Sequence, residues 1–234
     1  MLNLMKLEWK KHQLSRYFKG VACCILGIFA AVGLMAWGSK VENDLMFTDY
    51  AGFMSLTNIF IRITFLIFSA VILSRLVIDE YKNKTMQLLF TYPIERKKLM
   101  QAKLAIVFVF CFFNIILSTV IISLLIYFFN PMLEFFDTPV SIGEMIATVP
   151  ATLLHAFMIA GISLIPLYFG MRKKSTPTTI VSAIVIGLLM NGSVGNESGQ
   201  VSLFDFIAVP VTLCLLGLGI GYLSYHKVNK MDVV

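Results

Sequence analysis

Charge is scarce in this sequence: Asp, Glu, Lys and Arg make up 14% of its 234 residues, against 58% hydrophobic residues. A soluble domain carries roughly 25% charged residues, so a chain with a mean hydropathy of +0.85 cannot coat a globule with polar surface. A water-soluble fold is excluded. Acidic residues are scarcer still, 13 against 19 basic ones, and almost none falls inside an apolar run. That argues against a proton-coupled transporter, which needs ionisable relays in the membrane. The four cysteines, Cys23, Cys24, Cys111 and Cys214, all lie in apolar runs without C-x-x-C spacing. They read as small buried hydrophobes, with no disulfide framework and no metal site. Catalytic signatures are missing as well. The chain has no G-x-x-x-x-G-K-[ST] phosphate loop, so it does not hydrolyse nucleotide by that route. It has neither H-E-x-x-H nor G-x-S-x-G, which sets aside protease and hydrolase readings. No enzyme is expected.

What the chain does have is long apolar runs, at 20–38, 53–78, 104–129, 145–170, 177–194 and 206–225. A bilayer needs about 20 residues per helix, so the expectation is an all-α polytopic membrane protein with six transmembrane helices. The stretches between them are too short for a separate soluble core, which leaves one membrane domain, 1–234. The net charge of +6 belongs beside these runs. Lys6, Lys10, Lys11, Arg16 and Lys19 precede the first; Lys82, Lys84, Arg96, Lys97, Lys98 and Lys103 separate the second and third; Arg172, Lys173 and Lys174 separate the fourth and fifth. Lys227 and Lys230 follow the sixth, whereas the other three connections hold acids and, among Lys and Arg, only Lys40. The cations therefore act as topology determinants rather than nucleic-acid contacts, placing both termini and the 79–103 loop on the cytoplasmic side of a plasma membrane.

Before the first run, residues 1–19 put Leu4, Leu7, Leu14 and Phe18 at helical spacing, interrupted by Lys11. This predicts an amphipathic interfacial helix against membrane lipid, and the late start of the apolar run argues against a cleaved signal peptide. Within the spans, Gly217 and Gly221, and likewise Cys23, Gly27 and Ala31, form small-residue rows that allow close helix packing. Pro150, Pro166 and Pro210 are candidate kinks, and 191–199 is polar and glycine-rich, a loop or re-entrant turn. His155 is a lone histidine expected to be hydrogen-bonded rather than catalytic. Arg75 lies near a cytoplasmic span end and can snorkel. Arg62 stands deeper, with two readings open: a buried functional cation, or an interfacial one paired with an external acid such as Glu144 or Asp205.

The 79–103 loop is the one long segment both strongly charged and patterned like a helix. Thr85 to Phe90 can form a short helix with Met86, Leu89 and Phe90 on one face, shaped to enter a partner's groove. Pro93 then stands at a first-turn position with Glu95 behind it, opening a second helix that carries Arg96, Lys97, Lys98 and Lys103 into the third span. A docking helix joined rigidly to a span is what mechanical coupling requires.

Glu80, Thr85, Leu89, Pro93, Ile94, Arg96 and Lys103 together resemble the cytoplasmic loop of ABC-2 type exporter permeases, E-x-x-x-G-T-x-x-x-L-x-x-x-P-I-x-R. Lys84 stands where that family commonly has glycine. The resemblance implies a non-catalytic permease whose loop, through Glu80, Thr85, Met86, Leu89, Phe90, Pro93 and Arg96, seats on separate ATPase subunits. ATP and Mg would be bound by those subunits, with no cofactor in this chain, and two permeases, as a homodimer or heterodimer, would form the pathway. Small permeases of this size are most similar to bacterial peptide exporters, including bacitracin and lantibiotic immunity systems and the phenol-soluble modulin exporter. That implies export of amphipathic or antimicrobial-type peptides, with lipid-linked or drug-like substrates, or a non-transporting immunity scaffold, as the alternatives.

Overall fold

The computed structural model describes residues 2–11, 17–41, 47, 49–82, 96–133, 142–196, 199–202 and 206–227. A short helix α1 (Leu2–Lys11) precedes α2 (Tyr17–Val41) and α3 (Tyr50–Leu73). The chain then passes through a π-helical segment (Ser74–Ile78) into α4 (Asp79–Lys82), and resumes in α5 (Arg96–Leu133). Beyond it come α6 (Ile142–Ala147), α7 (Val149–Ile162), α8 (Pro166–Lys173) and α9 (Thr176–Met190). Strands β1 (Ser193–Asn196) and β2 (Gly199–Ser202) and the helix α10 (Ala208–Lys227) follow.

Among the described residues, four stretches are long and apolar enough to cross a membrane: Tyr17–Val41, Tyr50–Ile78, Lys97–Met132 and Met145–Lys173. Two further apolar helices, α9 and α10, are shorter. The expected helical membrane architecture holds in that form, with four clear spans. The one addition is an antiparallel hairpin in the glycine-rich connection after α9, where Ser193 pairs with Ser202 and Asn196 with Gly199.

α3 and α5 form the centre, with α2, α7 and α9 packed around them and α10 against α7. Phe53, Ile61, Phe65 and Leu66 of α3 and Ile106, Val107, Phe110 and Ile122 of α5 are buried there. The outer surfaces are apolar too: Val109, Phe113, Val120, Leu124 and Phe128 line one exposed stripe of α5. A protein oily on both faces of its helices is built for lipid. Several buried hydroxyls and amides of α5 donate to their own helix backbone, as lipid favours. Asn114 donates to the Phe110 carbonyl at 2.7 Å, Ser118 to that of Asn114 at 2.6 Å and Thr119 to that of Ile115 at 3.0 Å.

The glycines and prolines divide by role. A Cβ on Gly217 would lie 2.1 Å from the Gly161 carbonyl oxygen, so α10 and α7 touch backbone to backbone. The Gly217 row thus serves packing inside the chain. The Cys23 and Gly27 row faces outward, with nothing within 4 Å of a Cβ on Gly27, and Cys23 is exposed where a buried residue was expected. Pro150 and Pro166 both sit in first helical turns. Of the three candidate kinks, Pro166 marks a mid-span break, because the chain leaves the helix at residues 163–165 immediately before it.

Candidate functional site

The two ends of the 79–103 stretch meet in space. α4 continues directly from the second span, and Lys103 lies two turns into α5, where its side chain is fully buried. Its ammonium is ion-paired to Glu80 and donates to the Leu76 carbonyl at 2.9 Å. Glu8 of α1 places Oε2 3.8 Å from the same nitrogen, and Lys11 of α1 donates to the other Glu80 oxygen at 3.0 Å. Two carboxylates and two ammonium groups from three chain segments thus form one electroneutral cluster.

Burying such ions costs several kcal/mol each unless partners answer them. An ammonium has three donors, and here a carboxylate, a backbone carbonyl and a second carboxylate surround it. Parting the two loop ends at this joint would separate Glu80 from Lys103, both nearly inaccessible to solvent, and leave a buried charge without its partner.

The π segment aims one half of the joint. Each α-helical residue turns the chain by about 100°, and a π turn inserts one extra residue. Removing it would swing Glu80 off the face that meets Lys103. The Leu76 carbonyl that Lys103 uses lies in this segment. At the same end of the bundle, Thr176 at the start of α9 donates to Asp79 at 2.8 Å. A Cβ on Gly170 of α8 would meet Thr179 Oγ1 at 2.2 Å and Ile78 Cδ1 at 2.9 Å. The base of the loop is therefore locked to α1, α5, α8 and α9 at once.

Aromatic packing seats α1. Trp9 lies 6.0 Å from Phe18 and 6.4 Å from Phe110, and Phe110 stacks on Phe68 at 5.9 Å. Leu4 and Leu7, expected on a lipid-facing side, are half-buried and exposed respectively, while the residues that pack inward are Met5, Glu8 and Trp9. Glu8 faces inward because its charge is answered by Lys103. Arg75, instead of reaching only for headgroups, lies with its guanidinium 5.7 Å over the Tyr17 ring.

Of the expected coupling residues, Glu80 is in the cluster and Arg96 opens α5. Thr85, Met86, Leu89, Phe90 and Pro93 lie outside the described residues. Arg62 is not brought to this site; it sits eighteen residues before Glu80, about 27 Å along the helix at 1.5 Å per residue. It falls twelve residues after Tyr50 and sixteen before Ile78, half-buried near the middle of that run. Far from the cluster, a cleft of about 360 Å³ opens between α5 and the α6–α7 pair, its apolar walls interrupted by Thr119, Ser123, Thr148 and Thr152. That volume suits one acyl segment or side-chain group rather than a whole peptide.

Comparison with known proteins agrees with this anatomy. Residues 4–191 match the sequence model of the ABC-2 family transporter proteins. An uncharacterised Bacillus subtilis (strain 168) protein, YcbO, is 32% identical over 232 residues, covering 99% of this chain and all of YcbO. No solved structure matches. With a helical membrane bundle, a loop pinned at its base and a family match over most of its length, the chain belongs to the ABC-2 family of transporter membrane proteins.

Proposed function

We propose that this permease exports amphipathic peptides, including antimicrobial-type ones, from the cell through a pathway shared with a second permease, driven by ATPase subunits that grip the 79–103 loop. The buried cluster of Glu8, Lys11, Glu80 and Lys103 carries the reading. A docking helix transmits force only if its ends are anchored, and the cluster supplies that anchor at the junction of the second and third spans. In this reading Thr85, Met86, Leu89 and Phe90 seat in the ATPase groove, and both termini face the cytoplasm with the loop. Six crossings, with α9 and α10 completing the count, satisfy that arrangement. Arg62 is the intramembrane charge that the transport cycle requires.

The cleft beside α6 and α7 supports an amphipathic cargo, since it pairs an apolar wall with four hydroxyl-bearing residues. The same cleft suits a lipid-linked or drug-like substrate, which is the second reading.

Affinity purification in mild detergent, followed by identification of the co-purifying chains, tests the assembly. An ATPase carrying a phosphate loop should be recovered, and peptide efflux from vesicles should require it. Recovery of the permease alone, with no ATP-dependent efflux, would favour a scaffold.

A further inference from the structure

α1 is seated by one face and leaves another uncovered. At about 100° per residue, Met5, Glu8 and Trp9 share the packed side, while Lys6, Leu7 and Lys10 share the opposite side and are all exposed. Lys11 lies between the two, its side chain 43% exposed although it donates to Glu80. Together Lys6, Leu7, Lys10 and Lys11 line a shallow pocket of about 590 Å³. Among the described residues, Lys6 and Lys10 have no carboxylate partner.

We propose that this face of α1 binds the phosphate headgroup of an anionic lipid, with Lys6 and Lys10 on the phosphate and Leu7 among the acyl chains. Charge complementarity selects the occupant: Lys6 and Lys10 line the pocket with no carboxylate partner among the described residues, while Lys11 beside them is already paired to Glu80. Leu7 selects the membrane over a soluble anion, because an aliphatic side chain that is 64% exposed between two lysines gains from lipid and not from water. The position fits, because α1 lies against the start of α5 and just ahead of the first span. Lys11 joins the pocket to the Glu80 joint, so an occupied pocket adds a second anion to the same ammonium and holds α1 down at the loop base.

The test uses the full chain in nanodiscs, with its four cysteines replaced by alanine, Leu7→Cys carrying a bimane label, and quenching by acyl-brominated lipids. A lysine near a membrane surface contributes about fivefold in affinity for anionic lipid. Brominated phosphatidylglycerol should therefore quench at a mole fraction on the order of tenfold below that of brominated phosphatidylcholine. Lys6→Gln with Lys10→Gln should erase the difference, and Lys6→Arg with Lys10→Arg should keep it. Equal quenching by both lipids, or an unchanged preference in the glutamine pair, overturns the proposal. So does loss of the phosphatidylglycerol signal on adding inorganic phosphate, which would make free phosphate the ligand. Protection of the label by the ATPase subunit, with neither lipid quenching, would make the face a protein interface instead.

Discussion

Lys103 meets two carboxylates and a backbone carbonyl with one buried ammonium. Lys103→Met leaves Glu80 and Glu8 buried beside a vanished cation, and breaking a buried pair from one side costs about 3–5 kcal/mol. Thermal unfolding in detergent should show a marked loss of stability, while Glu80→Gln with Lys103→Gln should lose less than Lys103→Met alone. A double variant as damaged as the single one would mean the cluster is not a coupled unit. The two arginines of the second span should separate in the same fashion. Arg75→Leu forfeits one contact with Tyr17, about 0.5–1 kcal/mol, whereas Arg62→Leu, at mid-span, should depress transport more at matched expression. Equal transport would move Arg62 to the interfacial class. How much of this shows in the bare sequence depends on the residue. Glu80 and Lys103 stand out because they bracket a charged loop between apolar runs. Glu8 does not, since a lone carboxylate on a lysine-rich segment looks solvated until the fold supplies Lys103 from ninety-five positions away.

Among the elements, hydropathy locates the helices well because lipid contact is written residue by residue. Their internal breaks are less visible. Pro166 announces the gap between α7 and α8, but nothing in Ser74–Ile78 announces a π turn: it contains neither proline nor glycine, and its geometry follows from where Lys103 and Glu80 must meet. The hairpin after α9 has only its glycines as a signal. Close packing gives the sharpest test at this scale. Gly217→Ala must push α10 from α7, since its Cβ has no room beside the Gly161 carbonyl, and should cost about 1–3 kcal/mol. Gly27→Ala, with open space around it, should be neutral in the same thermal assay; similar losses from both would mean that helix contact is not the reason for either. The loop offers its own test. Leu89→Asp should insert normally yet lose ATPase retention and peptide efflux, because a docking groove penalises a carboxylate far more than headgroups do. Wild-type values for both would sink the coupling assignment.

For the whole molecule, orientation is the claim that everything else rests on. In a cysteine-free background, single cysteines at Asn43 and Glu197 should react with an impermeant thiol reagent on intact cells, and those at Asn83 and Ser175 only after permeabilisation. Labelling of position 83 from outside would invert the arrangement. The ion cluster also sets a schedule for biogenesis. A ribosome delivers residues 8 and 11 first, 80 next and 103 last, so α1 and the second span wait with two carboxylates and one ammonium until the third span arrives. A chain that ends before residue 96 lacks Lys103, so Glu8 and Glu80 share Lys11 alone and the cluster carries a net negative charge until the third span supplies its cation.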